Sequence, residues 1–316
     1  MLRVLLVKTS SLGDIVHNFP VATDIRRKFP DAWIDWVVEE PFVPLVQMHP
    51  SVRRTIPVAV RRWRKSLLSP KTWGEVAEFR RLSQSERYDV IIDTQGLIKS
   101  AVLARVAKGR LHGFDAKSAR EPLATRLYDV SHHVSRAEHA VTRNRLLAAS
   151  VLGYRVEPVV DYGLRQVGAE VAERNTCLFL HGTSRDDKRW PDDQWVALGR
   201  LLAPLGIAAI LPWGSDSEKR RSDALADQIP GAQVPSRLSI NEIARVMHTS
   251  KFVVGVDTGL THLAAALGCP VAALYVASDP AKTGVHGASM ASNLGHPGLS
   301  PRPQDVVDVL ARFRVL

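Results

Sequence analysis

The sequence predicts an α/β protein made of two doubly wound parallel-sheet domains. Strand-sized apolar runs alternate with helical stretches along the whole chain, and the runs are near-continuous, as in strands buried on both faces. The length, 316 residues, is that of about two domains of roughly 150 residues each.

In the first half the apolar runs place strands at Arg3 to Lys8, Ile34 to Val38, Thr55 to Val58 and Val90 to Asp93, with a weaker one at Leu111 to Phe114. Helical spacing between them covers Ile15 to Lys28, Thr72 to Ser83, Ile98 to Val106 and His139 to Leu152. In the second half, strands are expected at Cys177 to His181, Ala208 to Pro212, Phe252 to Val256 and Val271 to Tyr275. Helices are expected over Asp193 to Leu202, Glu218 to Gln228, Ile240 to Thr249 and Leu260 to Leu267. Gly153 to Gly168 carries Pro158 and no clear period, so it reads as the linker, with domains at 1–157 and 158–316.

A composition of 45% hydrophobic and 23% charged residues excludes disorder, collagen-like repeats and a coiled coil. No apolar run approaches the ~18 residues of a membrane span. The apolar stretch at the N-terminus is too short for a signal peptide, so a cytoplasmic location is expected. Cys177 and Cys269 stand far apart in apolar segments and read as small core residues.

The net charge of +10 is unevenly placed: residues 1–157 hold 26 basic and 16 acidic residues, and residues 158–316 hold 16 of each. A basic half beside a neutral one points to an anionic surface or substrate on the first domain. In open parallel sheets ligands bind beyond the carboxyl ends of the strands, so the loops there carry the functional signal. Two such domains are expected to face a central cleft and to hold one substrate each.

The first strand runs into Lys8-Thr-Ser-Ser-Leu-Gly-Asp14. Its small residues permit a tight turn, and Asp14 falls at a helix start, where capping competes with a catalytic role. The loop lacks the Gly-x-Gly-x-x-Gly fingerprint, which argues against a nicotinamide-binding domain. Arg61-Arg-Trp-Arg-Lys65 concentrates four cations, and a loop converging them on an anion is expected. Arg120, His132, His133, Arg136 and His139 are further candidates on this half, although a His pair without a carboxylate makes a poor metal site.

In the second half, His181-Gly-Thr-Ser-Arg-Asp-Asp-Lys188 follows a strand, and Thr183, Ser184 and Lys188 suit a diphosphate. Asp186 and Asp187, flanked by Arg185 and Lys188, read as ion-paired or capping before metal-binding. Val254 to Val256 runs into Asp257-Thr-Gly259 and a small-residue helix, an anion site at a helix start. His262 lies one turn past Thr258, with a satisfied core histidine as the alternative.

With these motifs in place, the chain resembles the lipopolysaccharide heptosyltransferases, GT-B glycosyltransferases of family 9. The resemblance rests on Val7 to Asp14, Asp35-Trp-Val-Val-Glu-Glu40, Arg61 to Lys65, Asp93-Thr-Gln-Gly-Leu97, Ala119-Arg-Glu-Pro-Leu123, Arg185 to Lys188, and Asp257 to Gly259 with His262. It is weakest from Val285 to Pro303, where no role is assigned.

The resemblance implies a GT-B fold, with a C-terminal helix able to cross back onto the first domain. It implies inverting transfer of L-glycero-D-manno-heptose from ADP-heptose to the first Kdo of Kdo2-lipid A, at the cytoplasmic face of the inner membrane. Neither a resident cofactor nor a metal is implied, since ADP-heptose is a substrate. Asp14 would be the general base. Thr183, Ser184, Lys188, Glu218, Asp257, Thr258, Gly259 and His262 would bind the donor. Ser10, Gly13, Arg61, Arg62, Arg64, Lys65, Arg120 and His139 would bind the acceptor. The competing readings are transfer to a later core sugar and a basic nucleic-acid-binding module. Nucleic acid is disfavoured because only Trp63 interleaves the arginines.

Overall fold

The computed structural model describes residues 1–164 and 175–316. The chain divides into two compact units, Met1–Leu164 and Arg165–Leu316. The division falls at Leu164 rather than 157 because the intervening residues are fastened to the first unit. Glu157 pairs with Lys28, Asp161 with Arg27, and the Val159 carbonyl accepts from the buried Arg145 guanidinium. Residues 165–168 of the expected linker lie outside the described residues.

The first unit runs β1 (Arg3–Val7), α1 (Leu12–Val16), α2 (Phe19–Lys28), β2 (Trp33–Glu39), α3 (Val43–Gln47), β3 (Val52–Val58), α4 (Val60–Trp63), α5 (Pro70–Gln84), β4 (Arg87–Asp93), α6 (Ile98–Arg105), β5 (Lys108–Phe114), β6 (Val130–His132) and α7 (Ala140–Leu152). Its six strands are all parallel, in the order β3-β2-β1-β4-β5-β6. Leu5, Val7, Val37, Ile56, Ile91 and Leu111 form one side of the core, closed by Phe79 and Trp63.

The second unit runs β7 (Thr176–Leu180), α8 (Asp192–Leu202), β8 (Ala208–Ile210), α9 (Asp216–Ala226), α10 (Ile240–Thr249), β9 (Phe252–Val256), α11 (Gly259–Ala266), β10 (Val271–Leu274), α12 (Pro280–Thr283), β11 (Ala291–Leu294) and α13 (Pro303–Arg312). Its five strands are parallel in the order β11-β10-β9-β7-β8. Helix α13 packs on α8, β10 and β11, and its Val306, Val309 and Leu310 enter this unit's core beside Trp190 and Trp195.

Each unit is therefore doubly wound about a point where the strand order reverses, between β1 and β4 in the first and between β7 and β9 in the second. Loops diverge there and leave a crevice at the carboxyl ends of the strands.

Three local expectations are corrected. The single helix over Ile15 to Lys28 is two, because Asn18 and Pro20 open a new helix at Phe19. Strands β6 and β11 carry polar residues at sheet edges and lack the apolar runs that revealed the others. Arg61 and Arg62 lie not in a loop but in the one-turn helix α4, which drops the Trp63 indole onto Phe79.

Candidate active site

The first switch point gathers the loops after β1, β4 and β5. Gln95, beyond β4, accepts from the Thr9 amide at 2.9 Å and donates to the Ser10 carbonyl at 2.6 Å, so the two loops are locked together. Ser10 is consequently buried, and Gly13 lies in the first turn of α1. Asp14 is the third residue of that helix, and one of its oxygens accepts from the Ser11 amide at 3.0 Å. Asp14 is thus not the N-cap, which is Ser11, but the N3 carboxylate of a capping box. The other oxygen accepts from Arg120 at 2.8 Å.

Lys8, Asp14, Arg120 and Arg143 line one small cavity with Thr94, Gln95 and Phe114. Burial pushes the Asp14 carboxyl up, but the charges of Lys8 and Arg120 and the Ser11 amide outweigh it and hold the group below the usual carboxylate range. Lys8 is buried and donates to the Thr94 carbonyl at 2.7 Å. Burial pushes its ammonium down to about 8, although Asp14 acts the other way. Arg143, whose pKa is lowered by burial and by Arg136 and Arg120, stacks over Phe114 with 5.0 Å to the ring centroid. This is one ionised carboxylate in a basic cup, with Arg120 half exposed at its rim.

The other first-unit candidates are dispersed. Arg62 is held by Glu40 and Glu75, each at 2.8 Å. Arg61, Arg64 and Lys65 are exposed and form no ion pair among the described residues. His139 is buried and caps α7, accepting from the Val141 amide at 3.2 Å. His132 stacks on His112, His133 pairs with Asp115, and Arg136 bonds the Ala119 carbonyl.

The second switch point is built by the loops after β7 and β9. At its centre the buried Asp257 carboxylate accepts from Lys188 at 2.6 Å and from the Ser278 hydroxyl, with His262 Nε2 at 3.6 Å. Burial alone would raise the Asp257 carboxyl, yet His262, Lys188 and Ser278 together hold it well below the usual range. Thr183 donates to the Asp257 carbonyl at 3.3 Å, tying the two loops.

Thr258 is the N-cap of α11, so the amides of Gly259 and Leu260 lack partners inside the helix. That helix starts close against the sheet because Thr261 donates to the Val256 carbonyl at 2.7 Å. A Cβ on Gly255 would meet the Thr261 hydroxyl at 2.2 Å.

Beside these groups lies a cavity of about 370 Å³ lined by Gly182, Thr183, Ser184, Trp213, Glu218, Ile243, Thr258 and Leu260. Glu218 closes a capping box at the start of α9, accepting from the Gly214 amide at 2.7 Å. Its other oxygen lies over Gly182, where a Cβ would approach it to 2.6 Å. A Trp-lined apolar wall, a carboxylate and a cationic rim are what a nucleoside diphosphate requires. Asp186 and Asp187 are each paired with an arginine, Arg189 and Arg185 respectively. Among the described residues no cluster of three metal-ligating side chains occurs.

Of the sequence candidates, Asp14 and Arg120 meet at the first switch point, and Thr183, Ser184, Lys188, Glu218, Asp257, Thr258, Gly259 and His262 meet at the second. Lys8 was legible as part of the first loop but not singled out. Arg143 and Trp213 lie in a helix and beyond a short strand without any local signal, and Ser278 follows β10 in a loop of no recognisable pattern.

Two doubly wound units, one with a basic cup around a carboxylate and one with a diphosphate-type site, fit the architecture of a glycosyltransferase. The chain belongs to glycosyltransferase family 9, the heptosyltransferases, whose family model matches residues 76–304. It is 44% identical over 291 residues to lipopolysaccharide heptosyltransferase 1 of Escherichia coli K12, covering 90% of this chain and 91% of that one. It is likewise 44% identical over 292 residues to lipopolysaccharide heptosyltransferase 1 of Pseudomonas aeruginosa, covering 91% and 82%. The solved E. coli heptosyltransferase WaaC with ADP is similar throughout, with a TM-score of 0.91 and 41% identity over 98% of this chain and 99% of that one. The same enzyme solved with ADP-2-deoxy-2-fluoro heptose gives a TM-score of 0.89 over 99% and 100% of the chains. The chain is thus a heptosyltransferase of lipopolysaccharide core synthesis, with the GT-B fold.

Proposed function

We propose that this enzyme moves L-glycero-D-manno-heptose from ADP-heptose to the first Kdo of Kdo2-lipid A, with inversion and without a metal ion, at the cytoplasmic face of the inner membrane. The observation that carries the reading is the pairing of one ionised carboxylate with a basic cup in the first unit, Asp14 with Lys8, Arg120 and Arg143. Kdo brings a carboxylate and a nucleophilic hydroxyl, which is the complement of that cup.

In the reaction the acceptor oxygen forms a bond to the anomeric carbon as the bond from that carbon to the β-phosphate oxygen breaks. The hydroxyl proton passes to Asp14, and the electron pair of the broken bond leaves on ADP. Lys188 and the first-turn amides of α11 meet that growing negative charge, so the leaving group departs without being protonated. Asp257, fixed by three partners, orients Lys188 and presents an acceptor to sugar hydroxyls. Glu218 offers its outer oxygen to the ribose, and Trp213 and Ile243 flank the base.

An anionic acceptor also tunes the base. While Arg120 serves Asp14 the carboxylate is a weak base. A Kdo carboxylate drawing Arg120 toward itself raises the basicity of Asp14 when the hydroxyl arrives. The basic excess of residues 1–157 suits an acceptor bearing sugar carboxylates and lipid phosphates.

The test is incubation of the purified protein with ADP-heptose and Kdo2-lipid A in the presence of EDTA. The expected result is free ADP and an acceptor heavier by one heptose, with the anomeric configuration opposite to the donor's by NMR. Transfer only to an already heptosylated core would assign it to a later step, and dependence on added Mg²⁺ would remove the metal-free mechanism.

A further inference from the structure

The segment between β3 and α5 presents apolar side chains that line neither the basic cup nor the donor-type cavity. Leu68 is 98% exposed, Leu67 58% and Trp73 61%, three large apolar side chains within seven residues of a chain whose other tryptophans are buried or half-buried. They are interleaved with Arg64, Lys65 and Lys71, which form no ion pair among the described residues, and no acidic residue occurs from Arg61 to Gly74. The segment is held in shape rather than loose. The Trp73 indole N–H donates to the Leu67 carbonyl at 2.8 Å, Pro70 starts α5, and Arg62 and Trp63 are both anchored on Glu75.

It also stands at the carboxyl end of the sheet. The Glu39 carboxylate at the end of β2 feels the charges of both Arg61 and Lys99, so the start of α4 and the start of α6 flank the same rim as the loops carrying Asp14. Helix α6 adds the exposed Ile98 and Val102, one turn apart and on one side of it.

Exposed aliphatic side chains, an amphipathic indole and unpaired cations, with no anion among them, match the interface of an anionic bilayer. The charges that separate these side chains are all cationic, so acyl chains accept the hydrophobes and lipid phosphates accept the cations. We infer that residues 64–73 dock the enzyme on an anionic lipid surface, with Leu67, Leu68 and Trp73 entering the headgroup layer. This deepens the reading of a lipid-borne acceptor and rests on it for its purpose, though not for its test.

The test uses vesicles without any acceptor. Co-sedimentation with phosphatidylglycerol–phosphatidylcholine vesicles is expected to retain the protein, with at least tenfold weaker binding to pure phosphatidylcholine. The Leu67→Ser/Leu68→Ser double variant is expected to bind at least tenfold more weakly than the parent while its melting temperature is unchanged. Vesicles carrying bromine at shallow acyl positions are expected to quench tryptophan emission, and Trp73→Phe is expected to abolish that quenching. Turnover of a deacylated, water-soluble acceptor by the Leu67→Ser/Leu68→Ser variant is expected to match the parent, while turnover of vesicle-borne acceptor falls. Equal binding to both kinds of vesicle, undiminished quenching in Trp73→Phe, or self-association through this segment without vesicle binding would overturn the inference. Absence of transfer to any acceptor alongside intact vesicle binding would instead count against the proposed reaction.

Discussion

Arg120 reaches Asp14 from 106 positions away and donates to its carboxylate at 2.8 Å. The pair joins the loop after β1 to the loop after β5 and, together with Lys8, favours the ionised form of the one carboxylate in the basic cup. Removing either partner therefore has a distinct kinetic signature.

Asp14→Asn keeps the size of the side chain and an acceptor for the Ser11 amide, so the start of α1 survives. Donor and acceptor binding are expected to stay within a few fold, while turnover falls by ~100-fold or more, the usual scale for losing a general base. Steady-state and single-turnover rates check this, and near-parental turnover would leave Asp14 with its capping role alone.

Arg120→Ala removes one of the two cations that hold the Asp14 carboxyl down. Asp14 is then protonated at a higher pH, so the acid limb of the pH–kcat/KM profile is expected to move up relative to the parent. The acceptor KM is expected to rise as well, because an anion loses its ligand. Lysine at this position is expected to restore most of the limb and less of the KM, since it keeps the charge and loses the bidentate fork.

Lys188→Ala withdraws a charge from the diphosphate position and leaves the buried Asp257 with Ser278 and His262. ADP affinity by calorimetry is expected to fall by at least tenfold, with a loss of stability on the order of 1–3 kcal/mol from the weakened buried pair. Unchanged affinity would take Lys188 out of the donor site.

Stability is expected to fall on acidification for a reason unrelated to the active site. His49 and His181 are buried, and burial pushes each down to about 4 from 6.5. Between pH 6.5 and 4 the unfolded chain binds protons that the folded one refuses, so the stability present above 6.5 drains away as pH falls through that window. Each ring accounts for on the order of 2–3 kcal/mol across it. Denaturant melts of the parent and of His181→Gln, at pH 7 and pH 4.5, check this, and the variant is expected to show the shallower dependence.

Most of the fold was readable because parallel strands buried on both faces leave continuous apolar runs, as at Val4 to Val7 and Phe252 to Val256. Strands β6 and β11 escaped because they are short, largely unburied and carry polar residues, and the break at His17 escaped because an amphipathic pattern continues across it. The donor-type site was readable for a related reason: Asp257 to Gly259 and Thr183 to Lys188 are local motifs at strand ends. Arg143, Trp213 and Ser278 are brought in by tertiary packing, and nothing in their immediate neighbours distinguishes them. The cation run was the least faithful signal, since sequence shows the number of charges in Arg61 to Lys65 but not which are already neutralised.

Within the run itself, scaffold and free charge separate residue by residue. Arg62 bridges Glu40 and Glu75, and the same Glu75 accepts from the Trp63 indole at 2.8 Å, so Arg62 belongs to the scaffold of α4 and α5. Arg64 and Lys65 are exposed and unpaired among the described residues, so their charges are available to an anion. Arg62→Ala is therefore expected to lower the melting temperature and leave the salt dependence of the acceptor KM as it was. Arg64→Ala/Lys65→Ala is expected to leave the melting temperature unchanged and to raise the KM for Kdo2-lipid A while ADP binding is untouched. The loss is on the order of 1 kcal/mol or less per contact if the contacts stay hydrated. Because exposed charges are screened beyond ~8 Å at physiological salt, the parental KM is expected to climb with ionic strength and that of the double variant to climb less. A double variant whose KM equals the parent's at both low and high salt would show these two cations to be solvated surface only.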